Sequence, residues 1–403
     1  MASKKFNPFR PGAPVPPGIF AGRFKELEQI QKCIYQTIND RPQNLLIFGE
    51  RGIGKTSIAL CSKWISEGEL ETFENEKLNL FTIMISVNTR MNFEEVLTNI
   101  ILQAQRKIGE TQLLGVFKKI WSHLEEIKFG PVAFKKAIEN KEISLASDEF
   151  CYFLEGLWDI IKDQYSGVVI IIDEFDRLLD FSGIASFLKT LLERLGADSY
   201  SRFMFLISGM GDLKEKLYKD HASVLRNFEP VELKTMPDNE AEQVINKALQ
   251  ETTVKITKEG LDLIISLAEG YPHFLQEIGY SAFEVDIDNE IGEEDVRDGV
   301  LGTEFYPGSI KRLGDQYFYR MFQLDIQSDI YREILSIIAI EDAQFVSRQT
   351  ILSKFSKKKT VLGSYLKNLV ERQILIKDKT RFGFYALPSK MFKIYIRMNS
   401  KLS

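Results

Sequence analysis

Cysteine and histidine are scarce, with 3 of each among 403 residues. Cys33, Cys61 and Cys151 stand far apart and form no CxxC pair. That spacing excludes a disulfide framework and a Cys/His metal cluster. Long hydrophobic runs are lacking too. The strongest, Val168 to Ile172, falls far short of the roughly 20 apolar residues a helix needs to cross a bilayer. No membrane partner is therefore expected. The start, MASKKFNPFRPGAPVPPG, has no apolar stretch of the kind a secretory signal needs, so a reducing cytoplasm is the expected compartment. No internal repeat and no nuclease, protease or other effector motif is visible.

What is present is ordinary for a folded soluble chain, with 44% hydrophobic and 27% charged residues, and length enough for two or three domains. The net charge of -5 hides an asymmetry. From Tyr331 to Ser403 there are 15 Lys and Arg against 5 Asp and Glu, so the rest of the chain is strongly acidic. An acidic body with a basic tail is what a separate module that contacts nucleic acid would look like, and the alternative is a solvated basic surface.

Apolar spacing organises the chain. Residues 1–18 are proline-rich and read as an extended arm. A helical pattern runs from Arg23 to Ile38. Leu45 to Phe48 reads as a buried strand and Lys55 to Glu67 as a helix. Leu78 to Val87 is a second β-branched run. Residues 92–164 are mostly helical by spacing, broken at Gly130-Pro131. Val168 to Ile172 and Phe203 to Ile207 read as strands on either side of a helix from Ser182 to Leu195, and Pro230 to Leu233 as a fifth strand. Strands alternating with helices predict a parallel five-stranded sheet covered on both faces, an α/β fold. Beyond Pro237 the strands stop, and helices are expected at 238–250, 257–269 and 272–284.

Gly49-Glu50-Arg51-Gly52-Ile53-Gly54-Lys55-Thr56 matches GxxxxGK(S/T) at every fixed position, between a strand and a helix. Gly49, Gly52 and Gly54 let backbone N–H groups close around phosphates, aided by the dipole of the helix that follows. Lys55 would reach the β- and γ-phosphates and the Thr56 hydroxyl would bind Mg²⁺. Glu50, Arg51, Ile53 and Ser57 complete the expected contacts to ATP. The second half is Gly167 to Asp176, where Asp173 and Glu174 stand at the C-terminal end of a β-branched strand, the end at which ligands bind in open parallel sheets. Asp173 would hold Mg²⁺ through its water shell, and Glu174 would act as general base on the attacking water. Asp176 and Arg177 read equally well as a surface ion pair or as participants.

A strand-borne Asp-Glu distant from the phosphate loop resembles the P-loop NTPases that use an adjacent catalytic glutamate. Within them the chain looks like the AAA+ and STAND ATPases, particularly those related to origin-recognition-type initiators and archaeal ATPases. Phe20 to Leu27, with Gly22 and Arg23, is similar to the GRxxEL segment that lies by the adenine. Ser208, ending FLISGM, occupies the place of the polar sensor residue on the fourth strand. Gly270-Tyr271-Pro272 resembles the GxP motif of the STAND lid, whose Pro272 would pack near the base. The resemblance covers residues 18–300. It implies an ATPase core over 19–236 with its helical insert at 92–164, a helical lid over 237–303 and a remaining module over 304–403. One departure matters. The lid helix PHFLQE lacks the arginine that senses the γ-phosphate in AAA+ initiators, which moves the expectation from a motor toward a switch. Arg226 lies where AAA+ proteins carry an arginine finger. It would act on a neighbouring copy in a homo-oligomer, or serve as a sensor in cis or in a salt bridge.

The tail predicts three helices: Ser328 to Ala339, one from Ser347, and Thr360 to Glu371 with Val361, Leu362, Leu366 and Leu369 inward. ILIKDKTRFGFYAL then alternates like a hairpin around Asp378 to Thr380. Three helices and a hairpin make a winged helix, whose third helix would enter the major groove of duplex DNA. Lys357, Lys358 and Lys359 lead into that helix, Lys367 lies on it, and Lys377, Lys379 and Arg381 decorate the hairpin. Lysines suit phosphate contacts. Phe382, Phe384 and Tyr385 read as hairpin core. The expected function is an ATP-driven molecular switch coupling nucleotide state to DNA binding and assembly. The rival reading is an ATP-regulated signalling or anti-phage defence adaptor that grips a protein effector.

Overall fold

The computed structural model describes residues 6–17, 20–108, 143–197, 200–314, 318, 328–356, 359–372, 374–378 and 380–399. It divides into two compact units, one of Pro14–Lys234 and the other of the described residues in 1–13 and 235–403. Among the described residues no helix is long and apolar enough to cross a membrane.

The first unit is built on α1 (Phe24–Ile38), β1 (Asn44–Gly49), α2 (Lys55–Ser66), β2 (Phe81–Ser86), α3 (Phe93–Ile108), α4 (Ile143–Ile161), β3 (Val168–Asp173), α5 (Ile184–Ala197), β4 (Phe203–Gly209), α6 (Leu213–His221) and β5 (Phe228–Leu233). All five strands are parallel, in the order β2-β3-β4-β1-β5. Every residue of β3 and β4 is buried, which is why both read as unbroken apolar runs rather than alternating ones. Phe150, Leu154 and Leu157 of α4, Val96 and Ile100 of α3 and Phe187 and Leu191 of α5 share one core with β2, β3 and β4. The expected strands and their connecting helices are present. The break at Gly130-Pro131 falls outside the described residues. The helix α6 was not anticipated, since only Leu213 and Leu217 of its nine residues are buried. It has a clear role nonetheless. Its Asp220 carboxylate accepts the N–H groups of Gly183 and Ala185 at 2.8 and 2.7 Å, satisfying the start of α5.

The second unit comprises α7 (Asp238–Leu249), β6 (Lys255–Ile256), α8 (Lys258–Ala268), α9 (Pro272–Val285), β7 (Glu290–Ile291), α10 (Glu293–Leu301), α11 (Gly308–Leu313), α12 (Asp329–Ile340), β8 (Val346–Ser347), α13 (Arg348–Lys354), α14 (Leu362–Glu371), β9 (Ile376–Lys377), β10 (Phe384–Ala386) and α15 (Lys390–Asn399). Strands do not stop at Pro237: β6 and β7 pair in parallel, but two residues each are too short for any alternation to show. The tail hairpin forms as β9 and β10, and β10 also pairs with β8, giving a three-stranded antiparallel sheet. Leu362, Leu366 and Leu369 of α14 are buried, and Val361 is half-buried in the short turn before it.

Two features of this unit were not legible. Phe9 is only 2% exposed and lies against Gly279 of α9, where an added Cβ would stand 2.5 Å from the ring. Arg10 N–H donates to Gln276 Oε1 at 2.8 Å, and Asn7 Nδ2 to the Tyr280 carbonyl at 3.0 Å. Within the proline-rich start, Asn7, Phe9 and Arg10 are thus docked on α9. Second, α15 consumes basic residues of the tail. Arg397 Nη2 donates to the Ile340 and Glu341 carbonyls at the end of α12, and Lys390 Nζ to the Ser266 carbonyl. The positive surplus of the tail is therefore partly structural.

Candidate active site

The glycine-rich loop leaves β1 at its C-terminal end, and Gly54 caps α2 in the left-handed region at φ 99°. Gly52 has φ 78°. A side chain at either position would strain the backbone, so the loop's curvature depends on these glycines. Ile53 is buried and anchors the loop, whereas Glu50 and Arg51 are exposed and Ser57 half-buried. Lys55 Nζ lies across the loop, donating to the carbonyls of Gly49 at 3.0 Å and Glu50 at 2.7 Å, with Met210 Sδ 3.6 Å away. Burial pulls its pKa down, and the carboxylates of Asp176, Asp173, Glu174 and Glu50 oppose that.

Asp173 is the hub. It is 2% exposed at the end of β3, and it accepts hydrogen bonds from α2, from β4 and from the next residue's N–H. Thr56 Oγ1 of α2 donates to its Oδ2 at 2.7 Å. The Ser208 hydroxyl of β4 donates to its Oδ1 in a short bond, and Glu174 N–H donates to the same oxygen at 3.0 Å. Sheet register explains the meeting. β4 lies between β1 and β3, with Ser208 opposite Ile47 on one side and Ile207 opposite Ile172 on the other. A carboxylate and a hydroxyl are hard oxygen donors, the set that suits Mg²⁺. Among the described residues no group of three or more His, Cys, Asp or Glu could hold a metal by itself, so phosphate oxygens or water would have to complete such a site.

Glu174 adopts left-handed backbone at φ 57°, a strained conformation for a residue with a side chain. Its carboxylate pairs with Arg177 Nη2 at 2.8 Å. Burial raises its pKa above 4.5 and Arg177 opposes the rise. Asp173 and Asp176 add to it, and Lys55 opposes it. Asp176 and Arg177 do not pair with one another here. Asp176 instead accepts Met210 N–H at 2.8 Å, fixing the turn after β4. The i,i+3 spacing of Glu174 and Arg177 was the available signal for their pairing.

Gly22 is buried with φ 77°, and Arg23 is 4% exposed. The Arg23 guanidinium donates to the Ile53 carbonyl at 2.8 Å and the Lys234 carbonyl at 2.6 Å, tying the loop to the end of β5. Arg226 lies in the turn Ala222–Asn227 just before β5. Asn44 opposite Phe228 and Gly49 opposite Leu233 set the register. Arg226 is therefore at the N-terminal ends of the strands, at least about 15 Å of strand rise from the glycine-rich loop. It lines a hollow with Pro42, Leu192, Tyr200 and Glu229, at the far end of the sheet from Asp173.

In the second unit, the Gly270 carbonyl accepts Met236 N–H at 2.7 Å, and Pro272 occupies the first turn of α9. Lys367 is exposed on α14 near Glu371, Lys377 is exposed on β9, and Arg381 is exposed and bonded to Asp378. Lys357, Lys358, Lys379 and the side chain of Lys359 lie outside the described residues. Phe384 and Tyr385 are half-buried, but Phe382 is 91% exposed and is not hairpin core.

No protein-family model and no curated protein sequence matches the chain. Solved structures are similar to it. The ORC2 protein of Aeropyrum pernix, in its ADPNP-ADP complexes, has a TM-score of 0.58 at 16% identity over 98% of each chain. A Walker-type ATPase of Pyrococcus abyssi has a TM-score of 0.52 at 14% identity, over 94% of this chain and 96% of that one. The chain shares the fold of these ATPase structures, an α/β fold on a five-stranded parallel sheet. The strand that ends at Asp173 is separated from the strand before the glycine-rich loop by the strand carrying Ser208.

Proposed function

We propose that the chain is an ATP-binding and ATP-hydrolysing switch whose C-terminal elements form a winged helix that binds duplex DNA. The observation that carries the nucleotide half is the convergence of Thr56, Ser208 and Glu174 on Asp173 beside the Lys55 loop. In this reading the loop N–H groups and Lys55 hold the phosphates, and Thr56 and Asp173 hold Mg²⁺. Magnesium supplies neutralisation of phosphate charge when bound. Glu174 takes a proton from the attacking water, and Ser208 orients Asp173. Arg226 serves a neighbouring copy, since its own loop is out of reach. Gly22 and Arg23 shape the base side of the site, and Pro272 belongs to the lid.

The lid reading rests on α7 to α10, and the winged-helix reading on α12 to α14 with the β8-β10-β9 sheet. The absence of arginine from α9 favours a switch over a motor. The exposed Lys367, Lys377 and Arg381 support DNA as the partner, with Lys357, Lys358, Lys359 and Lys379 as further phosphate contacts. The similar ORC2 protein was solved with ADPNP and ADP, which favours an adenine nucleotide here.

The test uses the purified full-length chain. Adenine-nucleotide binding, turnover of ATP and salt-dependent duplex binding are measured together with mass in solution. ATP turnover above background, abolished by Lys55→Ala, and DNA affinity falling steeply with salt are expected. No nucleotide binding in the presence of Mg²⁺ would sink the first half, and no duplex binding at low salt the second.

A further inference from the structure

Between β9 and β10, Asp378 gathers hydrogen bonds from Thr380 and Arg381. Asp378 Oδ1 accepts the N–H and the hydroxyl of Thr380, both at 2.8 Å, and Arg381 N–H at 3.1 Å. Asp378 Oδ2 accepts Arg381 Nε at 2.7 Å. On the return side, Asp378 N–H donates to the Phe384 carbonyl at 2.9 Å, and Arg348 N–H to the Gly383 carbonyl at 2.7 Å. The turn between them presents Phe382 to solvent, 91% exposed. Lys377 Nζ stands 5.0 Å from the Phe382 ring centre, and the Arg381 guanidinium lies 4.6 Å from the ring of Phe384. An exposed aromatic ring thus stands beside one cation, Lys377, and next in sequence to another, Arg381.

We propose that Phe382 stacks on a base at an opened step of duplex DNA, with Lys377 and Arg381 on the flanking phosphates. This rests on the reading of the tail as a DNA-binding winged helix. The hairpin does not bury this ring, whereas Ala386 of β10 is buried and Phe384 and Tyr385 are half-buried. One exposed ring with Lys377 and Arg381 on the same turn suits a base beside its phosphates, since base faces take aromatic rings and phosphate charge takes cations. Inserting a ring between paired bases requires unstacking them, which is easiest where a pair is already mismatched. The tip should therefore favour duplexes with a weakened step.

The test compares two labelled duplexes, one fully paired and one with a single mismatch beside 2-aminopurine, using the full-length chain and its Phe382→Ala and Phe382→Trp variants. The native chain and the Trp variant should prefer the mismatched duplex and change the 2-aminopurine fluorescence. The Ala variant should bind the mismatched duplex roughly tenfold or more weakly and leave that fluorescence unchanged. Its salt slope should match the native one, because no phosphate contact is lost. Equal affinity and equal fluorescence response in the native chain and the Ala variant overturn the role of Phe382 while leaving DNA binding intact. Failure of the native chain to bind either duplex at low salt overturns both.

Discussion

Thr56 Oγ1 donates to Asp173 Oδ2 at 2.7 Å, joining the first turn of α2 to the end of β3. The two residues are 117 positions apart in sequence. They meet because α2 starts at the C-terminal end of β1 and β3 ends on the same side of the sheet, with only β4 between. One cation could engage both oxygens, so each side chain should be felt through the metal. Thr56→Ala and Asp173→Asn are expected to reduce Mg²⁺-stimulated nucleotide binding while leaving the weaker Mg²⁺-independent component near native. Isothermal titration with and without Mg²⁺ reads this directly, and equal losses in both conditions would assign the pair to packing alone.

Lys55 and Glu174 should separate binding from chemistry. Lys55→Ala removes a cation from the phosphate loop and should weaken ATP roughly tenfold to a hundredfold, the range for loss of a charge-assisted hydrogen bond. Glu174→Gln should keep affinity while turnover falls about a hundredfold or more, as expected for loss of a general base. Turnover that survives the glutamine substitution would remove Glu174 from the reaction.

The Arg177 partner of Glu174 gives a pH prediction. Burial raises the Glu174 pKa, Arg177 and Lys55 hold it down, and Asp173 and Asp176 push it up. A general base works only when ionised, so turnover falls as pH drops through its pKa. Arg177→Met removes an opposing cation, raises that pKa further and should shift the acid limb of the rate profile to higher pH. A profile that keeps its acid limb in place would show that another group sets it.

Arg226 lies at the opposite end of the sheet from the glycine-rich loop, and the proposed function gives it a role on another copy. Arg226→Ala and Glu174→Gln chains, each deficient alone, should recover part of the activity when mixed. Such a mixture pairs an intact glutamate with an intact arginine across the interface. Mixing without any recovery would leave Arg226 outside the reaction.

Phe9 and Gly279 make a prediction about folding. Truncating a buried phenylalanine to alanine typically costs about 3–5 kcal/mol. An alanine at 279 would place its Cβ 2.5 Å from the Phe9 ring. Phe9→Ala and Gly279→Ala should therefore speed amide hydrogen exchange in α9 alike, whereas exchange unchanged in both would show that the docking of Phe9 adds no stability.

Local sequence determined the features that depend on neighbours a few positions apart. The turn from Gly49 into α2 was legible because its glycines stand where the chain must take left-handed backbone, between an apolar run and a helical pattern. β3 and β4 were legible because full burial demands unbroken apolar runs, and α14 because Leu362, Leu366 and Leu369 repeat with helical period. Tertiary structure decided whatever depends on groups distant in sequence. It brought Ser208 and Thr56 onto Asp173, tied Arg23 to the Ile53 carbonyl and put Arg226 at the far end of the sheet. It also buried Phe9 on α9 and turned Phe382 outward. No local pattern separates a buried phenylalanine from an exposed one in a short segment. Only the docking of Phe9 beside Gly279 and the side-chain clasp beneath Phe382 give the two rings opposite fates.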